Sequence, residues 1–221
     1  MRADIVVSRN EAAVLATNKL IRNTYTLLSM TLLFSAVTCA AAIALGIGRG
    51  AGLVSSLGAL ALLWFVLPRT AHSGAGIGVV FAVTGLLGFG LGPVLNAYLS
   101  LANGSQIVMT ALGGTGAIFL GLSAYALTTR RDFSFMGGFL FVGMLVVLGA
   151  ALLNIFLAVP ALTLTISAVV VLLMSGFILY DTSRMVNGGE TNYVLATISL
   201  YMSILNLFTS LLQLLGLSSD E

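Results

Sequence analysis

A chain of 221 residues in which 59% are hydrophobic and only 7% charged lacks the polar coat that a soluble domain of its size needs, since ordinary soluble domains carry roughly 25% charged residues. Its apolar excess finds a matching solvent only in lipid. The net charge of +2 is too small to speak for or against nucleic acid, but no basic patch interleaved with aromatics exists to track a phosphate backbone, so no nucleic-acid partner is expected.

Residues 1–23 come first, a mostly polar stretch carrying Arg2, Asp4, Arg9, Glu11, Lys19 and Arg22. A flexible tail is preferred there over a short interfacial helix, because a short isolated helix is marginal in water. No cleavable leader is expected: the first apolar run is about 24 residues long, against about 7 to 15 for a signal h-region. Seven apolar segments follow, at Thr24 to Ile47, Leu53 to Leu67, Gly76 to Leu99, Ile107 to Leu127, Phe133 to Ala158, Leu162 to Tyr180 and Tyr193 to Leu217. Each approaches the ~20 residues needed to cross the hydrocarbon. Only Val159-Pro160-Ala161 parts the fifth from the sixth. A fused helix would overshoot any bilayer at ~1.5 Å per residue, so the proline is read as the break in a hairpin. An acidic tail, residues 218–221, ends the chain.

Charge placement supports this count. With the N-terminus in the cytoplasm, seven crossings put Arg2, Arg9, Lys19, Arg22, Arg69, Arg130, Arg131 and Arg184 on the cytoplasmic side and only Arg49 on the other. That bias is the one the positive-inside rule demands. Fusing the fifth and sixth segments would move Arg184 across and spoil it. The expected fold is therefore an all-α membrane bundle of seven helices spanning residues 24–217, in a multi-pass inner-membrane protein. Glycines crowd its third, fourth and fifth spans, with Gly88 and Gly92 forming one G-x-x-x-G pair. Small residues let helix backbones touch in lipid, so they serve packing within the bundle or a docking face for a partner helix.

Polar groups within apolar spans carry the most information, because they are costly in hydrocarbon. Asp181, at the end of the sixth span, either reaches interfacial water, pairs with Arg184, or acts as a protonatable group at the mouth of a pathway. Asn96, Asn154 and Asn206 need partners, whether across helices or in a hydrated cavity. Ser199, Ser203 and Ser210 share a face with Asn206 on the last span, which marks that helix as interior. Cys39 reads as a buried small hydrophobe and His72 as a solvated loop residue. Enzyme classes fare poorly: no histidine lies in a span, G-x-S-x-G and G-x-x-x-x-G-K are absent, and Asp181 has no second intramembrane carboxylate. No metal cluster or cofactor motif occurs, and none is expected.

The motifs Tyr180-Asp181-Thr182, Gly188-Gly189-Glu190-Thr191-Asn192-Tyr193, Leu200-Tyr201 and Asn206-Leu207-Phe208 resemble the signature of the Bax inhibitor-1, or transmembrane Bax inhibitor motif, family. Gly92-Pro93-Val94-Leu95-Asn96-Ala97-Tyr98, Arg130-Arg131-Asp132-Phe133 and Asn154-Ile155-Phe156-Leu157 extend the likeness over nearly the whole chain. The resemblance implies seven helices with the last surrounded by the other six. In the bacterial branch that shares the G-G-E-T-N-Y run and the length, it implies binding to the membrane-anchored AAA protease FtsH, with residues 1–23 as the segment the protease engages. For other branches it implies a proton-sensitive Ca2+ leak sensed by two aspartates. One maps onto Asp181; the other maps onto Ser203, which cannot ionise. The family's basic residue after the second helix maps onto Arg69, a candidate ion-pair partner for Asp181. One carboxylate with amides such as Asn206 is a poor calcium site, because calcium takes six to eight oxygens. The leak expectation is therefore the weaker one. A third reading is a packing partner for other membrane complexes.

Overall fold

The structure, a computed structural model, describes residues 2–217, with side chains from 14 to 216. The acidic tail and the side chains of Arg2, Asp4, Arg9 and Glu11 lie outside the described residues. All regular structure among the described residues is helical. Among the described residues, seven helices are long and apolar enough to cross a membrane.

Helix α1 runs Arg2–Ala44 without a break, so the backbone of residues 4–23 is helical and continuous with the first span, not a separate flexible tail. Neither glycine nor proline interrupts the chain before Gly46, which then turns it at φ +63°. The second span, α2 (Arg49–Thr70), carries one turn of π-helix at Leu62–Val66 just ahead of Pro68. A proline ring clashes with the carbonyl four residues earlier, here that of Trp64; the widened turn contains that carbonyl. The remaining helices are α3 (Ala75–Leu99), α4 (Gly104–Thr129), α5 (Met136–Leu157), α6 (Pro160–Val186) and α7 (Tyr193–Leu217). The expected break between α5 and α6 is present: Pro160 opens α6, where its missing N–H costs nothing. Asn154 secures the hairpin by donating to Thr163 Oγ1 (2.7 Å) and accepting from the Val159 N–H (3.1 Å).

Helix α7 forms the centre. Of an apolar 18-residue stretch of its span 61% is buried, against 11% of the corresponding stretch of α5, and it packs against α1, α3, α4 and α6. Helices α2 and α5 lean on α3 and α6 respectively. The last helix is thus central, and among the described residues its backbone neighbours are α1, α3, α4 and α6. Its buried face includes Ser203, Ser210 and Tyr201. The Tyr201 hydroxyl donates to the Thr84 carbonyl (3.2 Å) and shares a 2.6 Å bond with Ser35 Oγ, tying α7 to α3 and α1. Unpaired, that hydroxyl would be costly in so apolar a core.

Helix α3 is clasped between α1 and α2, and its glycines make this possible. A Cβ on Gly92 would stand 2.5 Å from Ala42 Cβ on α1, and one on Gly90 would strike Ser56 on α2. The G-x-x-x-G pair therefore serves internal packing. The glycines of α4 do not all behave this way, since a Cβ on Gly113, Gly116 or Gly121 would meet nothing within 4 Å.

Candidate functional site

The motif residues Tyr180–Thr182, Gly188–Tyr193 and Arg130–Phe133 gather at one end of the bundle, and each group is held for a local reason. After α6 the chain reverses at Gly188, whose φ of +77° suits glycine. The N–H groups of Gly189 and Glu190 then close on the Arg184 carbonyl at 2.8 and 3.1 Å, satisfying an orphan of the helix end. Glu190 Oε1 accepts from the backbone N–H of Thr191 (2.9 Å) and Asn192 (2.8 Å). Asn192 Oδ1 accepts from the N–H of Val194 (2.8 Å) and Leu195 (3.3 Å), capping α7. Asn192 also donates through Nδ2 to the Ala71 carbonyl at 2.8 Å and lies 3.3 Å from Nδ1 of exposed His72. One side chain thus starts the central helix and fastens it to the α2–α3 turn.

A second fastening was not visible in the sequence. Ser183, fully buried, donates to the Arg131 carbonyl (2.9 Å) and accepts from the Phe133 N–H (2.9 Å). Asn187 Nδ2 adds a bond to the same carbonyl at 3.3 Å. The local signal for the helix reaching Ser183 is the lack of any glycine or proline between Tyr180 and Gly188, which carries α6 beyond Tyr180 and turns Thr182, Ser183 and Met185 inward. These bonds bring the α2–α3, α4–α5 and α6–α7 connections together, so that Arg130, Arg131 and Arg184 share one end. A crevice of about 510 Å³ there is walled by Val14 and Asn18 of α1 on one side and by Arg130 and Asn187 on the other. Lys19 and Arg22 are exposed on α1 nearby.

Asp181 lies one and a half turns inside α6 and is 8% exposed. Ser199 Oγ donates to its Oδ2 at 2.5 Å. The two share a cavity of about 180 Å³ with Arg184, Glu190, Leu195 and Ala196. Arg184, one of the partners expected for Asp181, instead sits 3.7 Å from Glu190, donates to the Gly189 carbonyl (2.8 Å) and lies over the Tyr180 ring. Arg69 is not brought to Asp181: its guanidinium is exposed and donates to the Phe65 carbonyl on its own helix. Ser203 is buried one turn beyond Ser199. Asn206 turns back on its own helix, donating to the Met202 carbonyl at 2.8 Å; it neither bridges helices nor joins Asp181. Asn96 is exposed near the end of α3. Among the described residues no three His, Cys, Asp or Glu side chains cluster as a metal site. Glu190, the other carboxylate at the cavity, is already committed to two N–H groups and Arg184.

Exposed Asp132 lies in the α4–α5 connection. The Ser134 side chain and its backbone N–H (2.8 Å) hold the Asp132 carboxyl below the usual carboxylate range. A lowered folded-state pKa means that the contact is intact at neutral pH and is lost as pH falls through that lowered value. Hydrogen exchange at the Ser134 amide, corrected for its intrinsic rate, should therefore lose protection on acidification in the wild type and show none at any pH in Asp132→Ala.

Comparison with known proteins places residues 17–220 within the family model described as inhibitor of apoptosis-promoting Bax1. The chain is 50% identical to the Escherichia coli K12 protein named modulator of FtsH protease YccA, over 97% of each chain. It is 52% identical to an uncharacterised membrane protein of Vibrio cholerae over 94% of this chain and 93% of that one. A Pseudomonas aeruginosa protein of unassigned function is 44% identical over 91% and 90%.

Proposed function

The chain belongs to the family of inhibitors of apoptosis-promoting Bax1, the Bax inhibitor-1 family, and on that premise we propose that it is an inner-membrane modulator of the AAA protease FtsH. The observation that carries this reading is the likeness to the E. coli modulator, 50% identity over 97% of each chain. It acts by binding, not by catalysis. Its N-terminus faces the cytoplasm, where the arginine-rich end gathered by Asn192 and Ser183 also lies, as the positive-inside bias requires. The N-terminal part of α1, with Arg2, Asp4, Arg9, Glu11, Lys19 and Arg22, is the handle the protease engages. Binding there holds back the degradation of other membrane substrates.

Crosslinking in native membranes followed by affinity capture should bring down the protease with the intact chain. Removing residues 1–20 should abolish capture and restore the turnover of a membrane substrate. The truncated form must still elute as a single species in detergent for the result to count. Equal capture and equal turnover with both forms contradict the reading.

A proton or cation leak is the second reading, favoured by one observation: Asp181 is buried beside a small cavity near the loop end of the bundle. It requires pH-dependent calcium flux in proteoliposomes that disappears in Asp181→Asn. Flux equal to that of empty vesicles removes it. The replacement of the second acid by Ser203 and the engagement of Glu190 argue against tight calcium binding.

A further inference from the structure

A second cavity, remote from the loop end, is unlike the first in chemistry. It is a groove of about 420 Å³ between α1 and α4, floored by α7. The α-carbons of α1 and α4 nowhere come within 8 Å of one another among the described residues. Its rims, Ala36, Ala40 and Leu112, are exposed, and its floor, Cys39, Thr115 and Phe208, is buried. Toward the loop end it is closed by Tyr25 against Phe119, ring centroids 6.0 Å apart. Along α1 it extends from Leu32 to Ile43, roughly 16 Å at ~1.5 Å per residue. The groove thus occupies the half of the bilayer on the Arg49 side and opens sideways into lipid.

We infer that this groove holds one acyl chain of a membrane lipid as a fixed component of the bundle, entering from the leaflet opposite the arginine-rich end. Two observations choose this occupant. Water is disfavoured, because the lining hydroxyls are already satisfied: Ser35 and Tyr201 by each other and the Thr84 carbonyl, and Thr115 by the Ala111 carbonyl at 2.7 Å. Apolar cavities without orphan polar groups stay dry. A partner helix is the alternative occupant, and the test below separates it from lipid. A single hydrocarbon chain matches the narrow cross-section, the length and the apolar lining, and the bilayer supplies it at the groove mouth. The inference does not depend on the protease reading.

The test reconstitutes the full chain in nanodiscs of phosphatidylethanolamine and phosphatidylglycerol that contain a phosphatidylethanolamine with a diazirine along its acyl chain. Illumination and peptide mass spectrometry then locate the adducts. Adducts should concentrate on the segments containing Cys39 and residues 112–119, above those on the fully lipid-facing side of α5. Ala40→Phe should reduce the groove adducts to the α5 level. Gly116→Leu offers a second way to fill the groove, since a Cβ there meets nothing within 4 Å, and should give the same loss with an unchanged melting temperature. Adducts spread in proportion to exposure overturn the inference. So does a groove that captures protein in place of lipid, or one whose labelling is unaffected by either filling variant in a folded sample.

Discussion

Gly88→Leu and Gly92→Leu will each prevent recovery of a folded bundle. A Cβ on Gly88 would collide with the Ser35 carbonyl and stand 2.5 Å from Ser35 Oγ and 2.6 Å from Thr38 Oγ1. One on Gly92 would stand 2.5 Å from Ala42 Cβ and 3.2 Å from the Cys39 carbonyl. Carbonyls and Cβ atoms cannot swing aside, so α1 and α3 must separate, and their contact is the most extensive in the bundle. In lipid that contact is held by close packing, with no hydrophobic drive between helices to replace it. Overpacking of this kind costs about 1–3 kcal/mol, and more where backbone must move, while leucine's better helix propensity returns only about 1 kcal/mol. Gly113→Leu and Gly121→Leu are the controls. Open space surrounds both sites, and both variants should match or slightly exceed the wild type. The yield of monodisperse protein in detergent and its melting temperature report the difference. Equal behaviour of the Gly88 and Gly113 variants would refute the packing role.

Asn192→Ala should be the most damaging substitution in the loop. It removes the cap of the central helix, worth about 0.5–2 kcal/mol, and the bond to the Ala71 carbonyl, worth about 0.5–1.5 kcal/mol. A total loss of about 2 kcal/mol follows, together with freer motion of the α2–α3 turn. Asn192→Asp separates the two roles: its carboxylate still accepts from Val194 and Leu195 but cannot donate to Ala71, so it should recover about half of the loss. Thermal unfolding of both variants, with hydrogen exchange across residues 71–76, measures this. If the aspartate variant were no better than alanine, the cap would contribute nothing.

The seven spans were legible because each is an apolar run of near bilayer length, and because arginines mark one set of connections. The α5–α6 hairpin was legible through Pro160. The interior position of α7 followed from the serines on one of its faces, and Ser203 and Ser210 are indeed buried. Less visible was the end of α6. Asp181-Thr182-Ser183-Arg184 reads as a polar exit, yet the helix continues to Val186, because its neighbours supply partners that no local pattern can reveal. Ser199 for Asp181, the Arg131 carbonyl for Ser183 and the Ala71 carbonyl for Asn192 are all contacts between different segments. Arg69 failed as a partner for a different reason: its guanidinium donates to the carbonyl of Phe65, one turn back on its own helix. The N-terminal segment misled in a different way. A short helix alone is marginal, but residues 2–23 are not alone, since they extend a helix already nucleated in the span that follows.

Binding to the protease is tested most directly in proteoliposomes that contain purified FtsH, a membrane substrate and increasing amounts of this chain. Substrate half-life should lengthen with the ratio of chain to protease, and the form lacking residues 1–20 should leave it unchanged. A degradation rate independent of the intact chain at every ratio would contradict modulation by direct binding.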